Sequence, residues 1–162
     1  MTDLLPLLQE FHREKLAALL RHQAGARLIG QYDANNTYQY IINREETQLS
    51  WVVAAIAGLG GAPASDAVEP SLGAREQRKD ASRDIMEADA RDAQAFVDRW
   101  RPRIDTIPNA RHAGMLRVIL GEVLEQKRFF EQAAAGRVDV LGTRSPAAGA
   151  LVGRVLSERW IE

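Results

Sequence analysis

The chain has 162 residues, of which 46% are hydrophobic and 27% are charged, a composition that suits one globular domain. Its 21 basic and 22 acidic residues give a net charge of -1, so the composition favours neither a nucleic-acid partner nor an anionic membrane. The lack of cysteine excludes disulfides, thiolate metal sites and a cysteine nucleophile.

The N-terminal stretch, residues 1–25, carries charges throughout and does not resemble a signal peptide, so the expected location is the cytoplasm. The most apolar run, residues 49–63, is shorter than the ~20 residues that span a bilayer and is broken by Gly58, Gly60 and Gly61. This run is therefore predicted to be a buried helix, and no membrane partner is expected.

Apolar residues recur at helical spacing almost everywhere, which predicts an all-α fold. The first helix is predicted to start at residue 2 or 3 and to run to about residue 28, before Gly30. Asn36 and Gln39 resemble a capping box, which predicts a second helix over residues 37–59.

A connection rich in proline, alanine, serine and glycine is predicted over residues 62–73. A third helix is expected over residues 74–101, where Pro102 should interrupt it. The fourth helix is predicted over residues 109–135 and should be closed by Gly136.

The four helices have short first and third links and a long second link. This pattern predicts an antiparallel four-helix bundle over residues 1–136, built from two helical hairpins with one long crossover. Residues 137–162 are predicted to form an extended tail and then a short amphipathic helix over residues 148–161.

Several polar side chains fall on the apolar faces of the predicted helices. They are His12, Lys15 and His22 in the first helix, Glu45 and Gln48 in the second, Asp89 in the third, and His112, Glu122 and Gln126 in the fourth, with Glu125 near the border. Glu46 falls at the rim. A carboxylate in an apolar core costs several kcal/mol unless it is paired or bound to a cation. Because three different helices each carry such a carboxylate, one shared explanation is needed.

The second helix carries the first sign of a family. Glu45-x-x-Gln48, followed by LSWVVAAIAGLGGAP, resembles the second helix of ferritin-like proteins such as bacterioferritins, rubrerythrins and demethoxyubiquinone hydroxylases. In these proteins Glu-x-x-His is followed by an ending similar to Leu-Gly-Gly-x-Pro. Pro63 lies 18 residues after Glu45, as this pattern implies.

The resemblance extends over about residues 3–136. GEVLEQKRFFEQA resembles the fourth helix of the family, with Glu122-x-x-Glu125 at the Glu-x-x-His position. Asp89, with Phe96 seven residues later, stands where the third helix usually has Glu followed by Tyr.

Ferritin-like proteins hold two iron or manganese ions between four helices, with one Glu from each of two helices and Glu-x-x-His from each of the others. The resemblance implies the following candidate metal ligands: Glu45 and Glu122 as bridging carboxylates, Asp89 as a terminal ligand, Gln48 and Glu125 at the histidine positions, and His12 or Glu14 from the first helix. Both histidines of the motif are replaced.

Two functions follow. In the first, an altered, carboxylate-rich site holds iron or manganese, since oxygen ligands favour harder ions.

In the second function, a ferritin-like scaffold without metal chemistry acts as a binding or interaction protein and forms a homodimer. Glu45 and Glu122 would then be neutralised by Lys15, His12, His112 or an arginine, and the inward position of Lys15 favours this alternative. No organic cofactor is predicted, and the small-molecule substrate and the catalytic residues stay unassigned.

Overall fold

The computed structural model describes residues 3–66, 72 and 81–142, and it confirms the all-α class. Four long helices and one short 3-10 turn make up these residues, and none of them forms a strand. The helices are α1 (Leu4–Ala26), α2 (Tyr32–Gly58), α3 (Ser82–Asp105) and α4 (Ala110–Ala134), and the 3-10 turn is Val140–Gly142.

The helices pack as two hairpins. α1 lies along α2, and α3 lies along α4, because the turns over residues 27–31 and 106–109 are short. Fewer contacts join α1 to α3 and α2 to α4, and these close the bundle. The four-helix bundle is thus confirmed. None of the described helices contains an apolar stretch long enough to cross a bilayer.

Two apolar clusters form the core. The first cluster is built around Phe11, Trp100 and Leu116, and the second around Tyr38, Ile85 and Phe130. Along α1, α3 and α4, the core-facing residues change from one cluster to the other close to a buried polar side chain. These side chains and their neighbours form the polar layer, which consists of Lys15, His22, Glu45, Gln48, Asp89 and Gln126.

The start of α2 differs from the prediction. The helix begins at Tyr32, so the predicted cap at Asn36 is wrong. The neighbouring Asn35 instead donates from Nδ2 to the carbonyl oxygens of Ala26 at 2.8 Å and Ile29 at 3.3 Å. These carbonyls lie at the end of α1, where helical carbonyls lack partners, so the bonds fasten the turn between the two helices.

The end of α3 also differs. Pro102 lies inside the helix, which continues to Asp105, so the predicted interruption is wrong. Proline removes one backbone donor, but Trp100 and Ile104 on either side are fully buried and hold this last turn against the core. The predicted start at residue 74 lies outside the described residues.

The prediction for α4 is confirmed at both ends. Asn109 caps its start by accepting a hydrogen bond from the backbone N–H of His112 at 3.1 Å. Gly136 follows its end with φ of +82°, a conformation that favours glycine. The predicted extended tail contains the 3-10 turn Val140–Gly142, and the predicted last helix lies outside the described residues.

The two asparagines at the start of α2 offer a test of the turn. We expect Asn35→Ala to lower the free energy of unfolding by about 1–2 kcal/mol, because two carbonyls lose their donor. Asn36→Ala, at an exposed position, should change it by less than about 0.5 kcal/mol. Urea unfolding followed by circular dichroism measures both, and the reverse ranking would restore Asn36 as the cap.

Candidate functional site

The centre of the polar layer is an ion pair between α1 and α2. Lys15 Nζ lies 2.8 Å from Glu45 Oε1, and the two side chains are 2% and 0% exposed. The second carboxylate oxygen of Glu45 lies 2.7 Å from Nδ1 of His22, two turns further along the same face of α1. Both oxygens of the buried Glu45 are therefore occupied by nitrogen donors, and the predicted Lys15–Glu45 pair is confirmed.

His22 extends this group toward α3. Its Nε2 lies 3.9 Å from Oδ1 of Asp89, which is also buried. Asp89 accepts from Arg21 Nε at 2.6 Å and from the hydroxyl of Tyr38. Side chains from α1, α2 and α3 thus meet in one hydrogen-bonded group around two carboxylates.

The contacts fix the charges within this group. Burial alone would raise the pKa of Glu45, but attraction to His22 and Lys15, together with their hydrogen bonds, lowers the pKa to about 2. Burial opposes charge on His22, yet Glu45, and more weakly Asp89, outweigh it and raise the pKa of that imidazole. Each ring nitrogen faces a carboxylate, an arrangement that suits the doubly protonated ring.

A second polar group joins α2 to α4. Glu122 accepts from Arg44 Nη2 at 2.5 Å and from Nε2 of Gln48. Glu122 was predicted on the apolar face of its helix, but its side chain is 22% exposed and lies at the edge of the bundle. The reason is that Arg44 lies toward solvent and draws the carboxylate to the edge of the bundle.

The other candidate ligands are dispersed. Glu125 is exposed and lies 3.6 Å from Arg128. His12 is buried, and this burial lowers its pKa, which favours the neutral imidazole. Glu14 accepts from Arg99 at 2.6 Å and from the indole N–H of Trp100 at 2.9 Å. Within the described residues, Nδ1 of His112 has no hydrogen-bond partner, and the bonds to Glu45 and Glu122 come from other side chains.

This arrangement does not fit the ligand set that the resemblance implies. Within residues 3–66 and 81–142, no three His, Asp or Glu side chains are placed to hold one metal ion. Glu45 and Asp89 meet around His22, whereas Glu122 bonds to Arg44 and Gln48 instead of Asp89. An ammonium occupies the position beside Glu45 at which a cation would bind. The metal itself stays a prediction.

A cavity of about 420 Å³ opens between α1 and α3 and extends to the ion pair. Small residues leave this gap, since Ala17 and Ala18 of α1 face Ala93 of α3 across it. Besides Lys15, His22 and Glu45, its lining includes Phe96, Val123 and Gln126. We call this space the central cavity. Its size lies within the range of small-molecule sites.

Sequence reasoning missed two partners of the buried carboxylates. They are Tyr38 and Arg21, which both donate to Asp89. A signal existed for the first, because Tyr38 and Glu45 lie seven residues apart, two turns along one face of a helix. The same spacing separates Lys15 from His22. Arg21 carries no such signal, because its long side chain reaches Asp89 from a half-buried position.

Comparison of the chain with family models, curated proteins and solved structures gave no match. The contacts above therefore carry the functional argument, and the ferritin-like resemblance and the homodimer stay predictions.

Replacement of Lys15 tests the ion pair. We expect Lys15→Met to lower the free energy of unfolding by about 3–5 kcal/mol, because Glu45 would keep its charge with one partner missing. Lys127→Met is the matched control, since Lys127 is 29% exposed, donates to the amide oxygen of Gln94 and lies 3.5 Å from the exposed Glu131. It should cost about 1 kcal/mol or less. Equal costs in urea unfolding would contradict a central role for Lys15.

The pH dependence of stability tests His22 and Glu45. The pKa of His22 in the folded protein is raised above its ordinary value of 6.5. Its contribution to the free energy of unfolding is therefore complete below pH 6.5 and is lost as the pH rises through the folded pKa. The pKa of Glu45 falls from 4.5 to about 2, so its contribution is complete above 4.5 and is lost as pH falls. These two groups together favour maximal stability between about 4.5 and 6.5.

The measurement is urea unfolding from pH 4 to pH 9. His22→Gln keeps a donor for Glu45 but removes the titration, so its stability should fall less than that of the unaltered protein above pH 6.5. His12→Gln is the control: burial lowers the pKa of His12, so its removal should leave the fall in stability above pH 6.5 unchanged. Identical profiles for all three proteins would show that His22 does not titrate as described.

Proposed function

We propose that the protein binds a small organic molecule in the central cavity, between α1 and α3. The observation that carries this proposal is a cavity of about 420 Å³ that reaches a fully buried ion pair. Lys15 and Glu45 are 2% and 0% exposed, yet both are among the residues that line this cavity. A concave site with apolar walls and a few polar groups is typical of ligand pockets.

The lining provides both kinds of contact that such a ligand needs. Phe96 and Val123 supply apolar surface from α3 and α4, and Ala17 and Ala18 supply a flat wall from α1. Gln126 adds a buried amide whose Nε2 has no hydrogen-bond partner in the described part of the chain. An unpaired buried amide costs about 1–3 kcal/mol, and a bound ligand with an acceptor would remove that cost.

The arrangement favours binding over metal chemistry. Glu45 would have to release Lys15 and His22 before it could ligate an ion, and the freed ammonium would repel that ion. This proposal corresponds to the second function that the sequence suggested, a scaffold whose interior carboxylates are neutralised by protein cations. It assigns no reaction to the protein.

A fragment screen with a blocked variant tests the proposal. Ala18→Phe should fill the cavity, so fragments that bind the unaltered protein should lose at least about tenfold in affinity. Ala57→Phe, at an exposed position of α2 outside the cavity lining, is the matched control and should bind them normally. Ligand-observed NMR measures the affinities, and circular dichroism confirms that both variants fold.

Two results would overturn the proposal. One is a diverse fragment library in which no fragment distinguishes Ala18→Phe from Ala57→Phe. The other is elemental analysis that finds about one iron or manganese ion per chain after growth in supplemented medium and dialysis, which would favour the metal function.

A further inference from the structure

The ammonium of Lys15 has hydrogen-bonding capacity that the protein does not use. An ammonium carries three N–H donors, and in the described part of the chain Nζ has one hydrogen-bond acceptor, Oε1 of Glu45. The ring of Phe96 lies 5.9 Å from Nζ, a contact that is electrostatic and uses no donor. Lys15 is among the residues that line the central cavity, and two donors of this buried cation have no protein acceptor in the described part of the chain.

Among the described residues, the cations around the cavity are nevertheless matched by carboxylates. Lys15 and His22 pair with Glu45, Arg21 lies 2.6 Å from Asp89 and 3.4 Å from Asp92, and Arg99 pairs with Glu14 at 2.6 Å. Each of these side chains thus lies beside a carboxylate, and His22 lies between Glu45 and Asp89. Beside Lys15 and Glu45, which are 2% and 0% exposed, a charged ligand would leave one charge uncompensated, at a cost of several kcal/mol.

These two observations select the chemistry of the ligand. We propose that the central cavity binds a neutral carbonyl compound, whose oxygen accepts hydrogen bonds from Lys15 Nζ and whose apolar part packs against Phe96 and Val123. This inference rests on the proposed function and makes it specific. A hydrogen bond to a charged donor is worth about 1.5–3 kcal/mol, which corresponds to a preference of roughly ten- to a hundredfold over a ligand without the acceptor.

Three probes of similar size test the inference on the full chain. Acetophenone carries a neutral carbonyl, ethylbenzene lacks an acceptor, and benzoate carries a negative charge. We expect acetophenone to bind at least about tenfold more tightly than either of the others. In Lys15→Met its preference over ethylbenzene should fall to less than about threefold, because the charged donor is gone. Calorimetry or NMR titration gives the affinities.

A spectroscopic measurement keeps the test independent of whether Lys15→Met folds. Acetophenone with a ¹³C-labelled carbonyl, bound to the unaltered protein, should show a carbonyl stretch at lower frequency than in hexane, as a hydrogen bond from an ammonium requires. An unshifted band would overturn the inference. Ala18→Phe should remove the bound band, which places the signal in the central cavity.

The remaining outcomes separate this inference from the proposed function. Equal affinity for acetophenone and ethylbenzene, or tightest binding of benzoate, would overturn the neutral carbonyl ligand while the cavity remained a binding site. The same holds if library fragments bind but none of the three probes does. If Ala18→Phe changed the affinity of no fragment, both the binding function and the carbonyl ligand would be overturned.

Discussion

The interior of this bundle depends on one contact, the ion pair between Lys15 and Glu45 at 2.8 Å. Neither charge is stable in the core alone, because an unpaired buried charge costs several kcal/mol. The pair therefore requires α1 and α2 to face each other at this level. His22 then serves Glu45 and Asp89 together, so the same requirement extends to α3. Three helices are positioned by two carboxylates and their partners.

The polar layer also explains why a cavity reaches the interior of the bundle. Helices that meet through charged side chains are held by hydrogen bonds with fixed directions, and these do not fill space as interlocking apolar side chains do. Ala17 and Ala18 widen the gap toward α3, while the apolar clusters on either side stay tightly packed. The stability of the fold and the space for a ligand thus come from different layers of one structure.

The amino-acid sequence predicted which side chains are buried better than it predicted their partners. Helical periodicity placed Glu45 and Asp89 inside, because the inward face of a helix repeats regularly. Partners depend on neighbouring helices and on long side chains, so Arg44 with Glu122 and Arg21 with Asp89 could not be found this way. The predicted helix start at Asn36 and the predicted helix end at Pro102 were wrong for another reason. Both rest on local preferences of about 1–3 kcal/mol, which burial of neighbouring residues such as Ile104 outweighs.

The division of the core into two apolar clusters has a consequence for how the helices align. In a bundle with a uniform apolar core, one helix can shift past another by a turn, about 5.4 Å, and its apolar side chains stay buried. Here the same slip of α1 would carry Lys15 away from Glu45 and into the apolar side chains around Phe11 or Leu19. We infer that the polar layer fixes the register of the helices. Its burial costs desolvation energy, but any other alignment would leave its charges unpaired in the core.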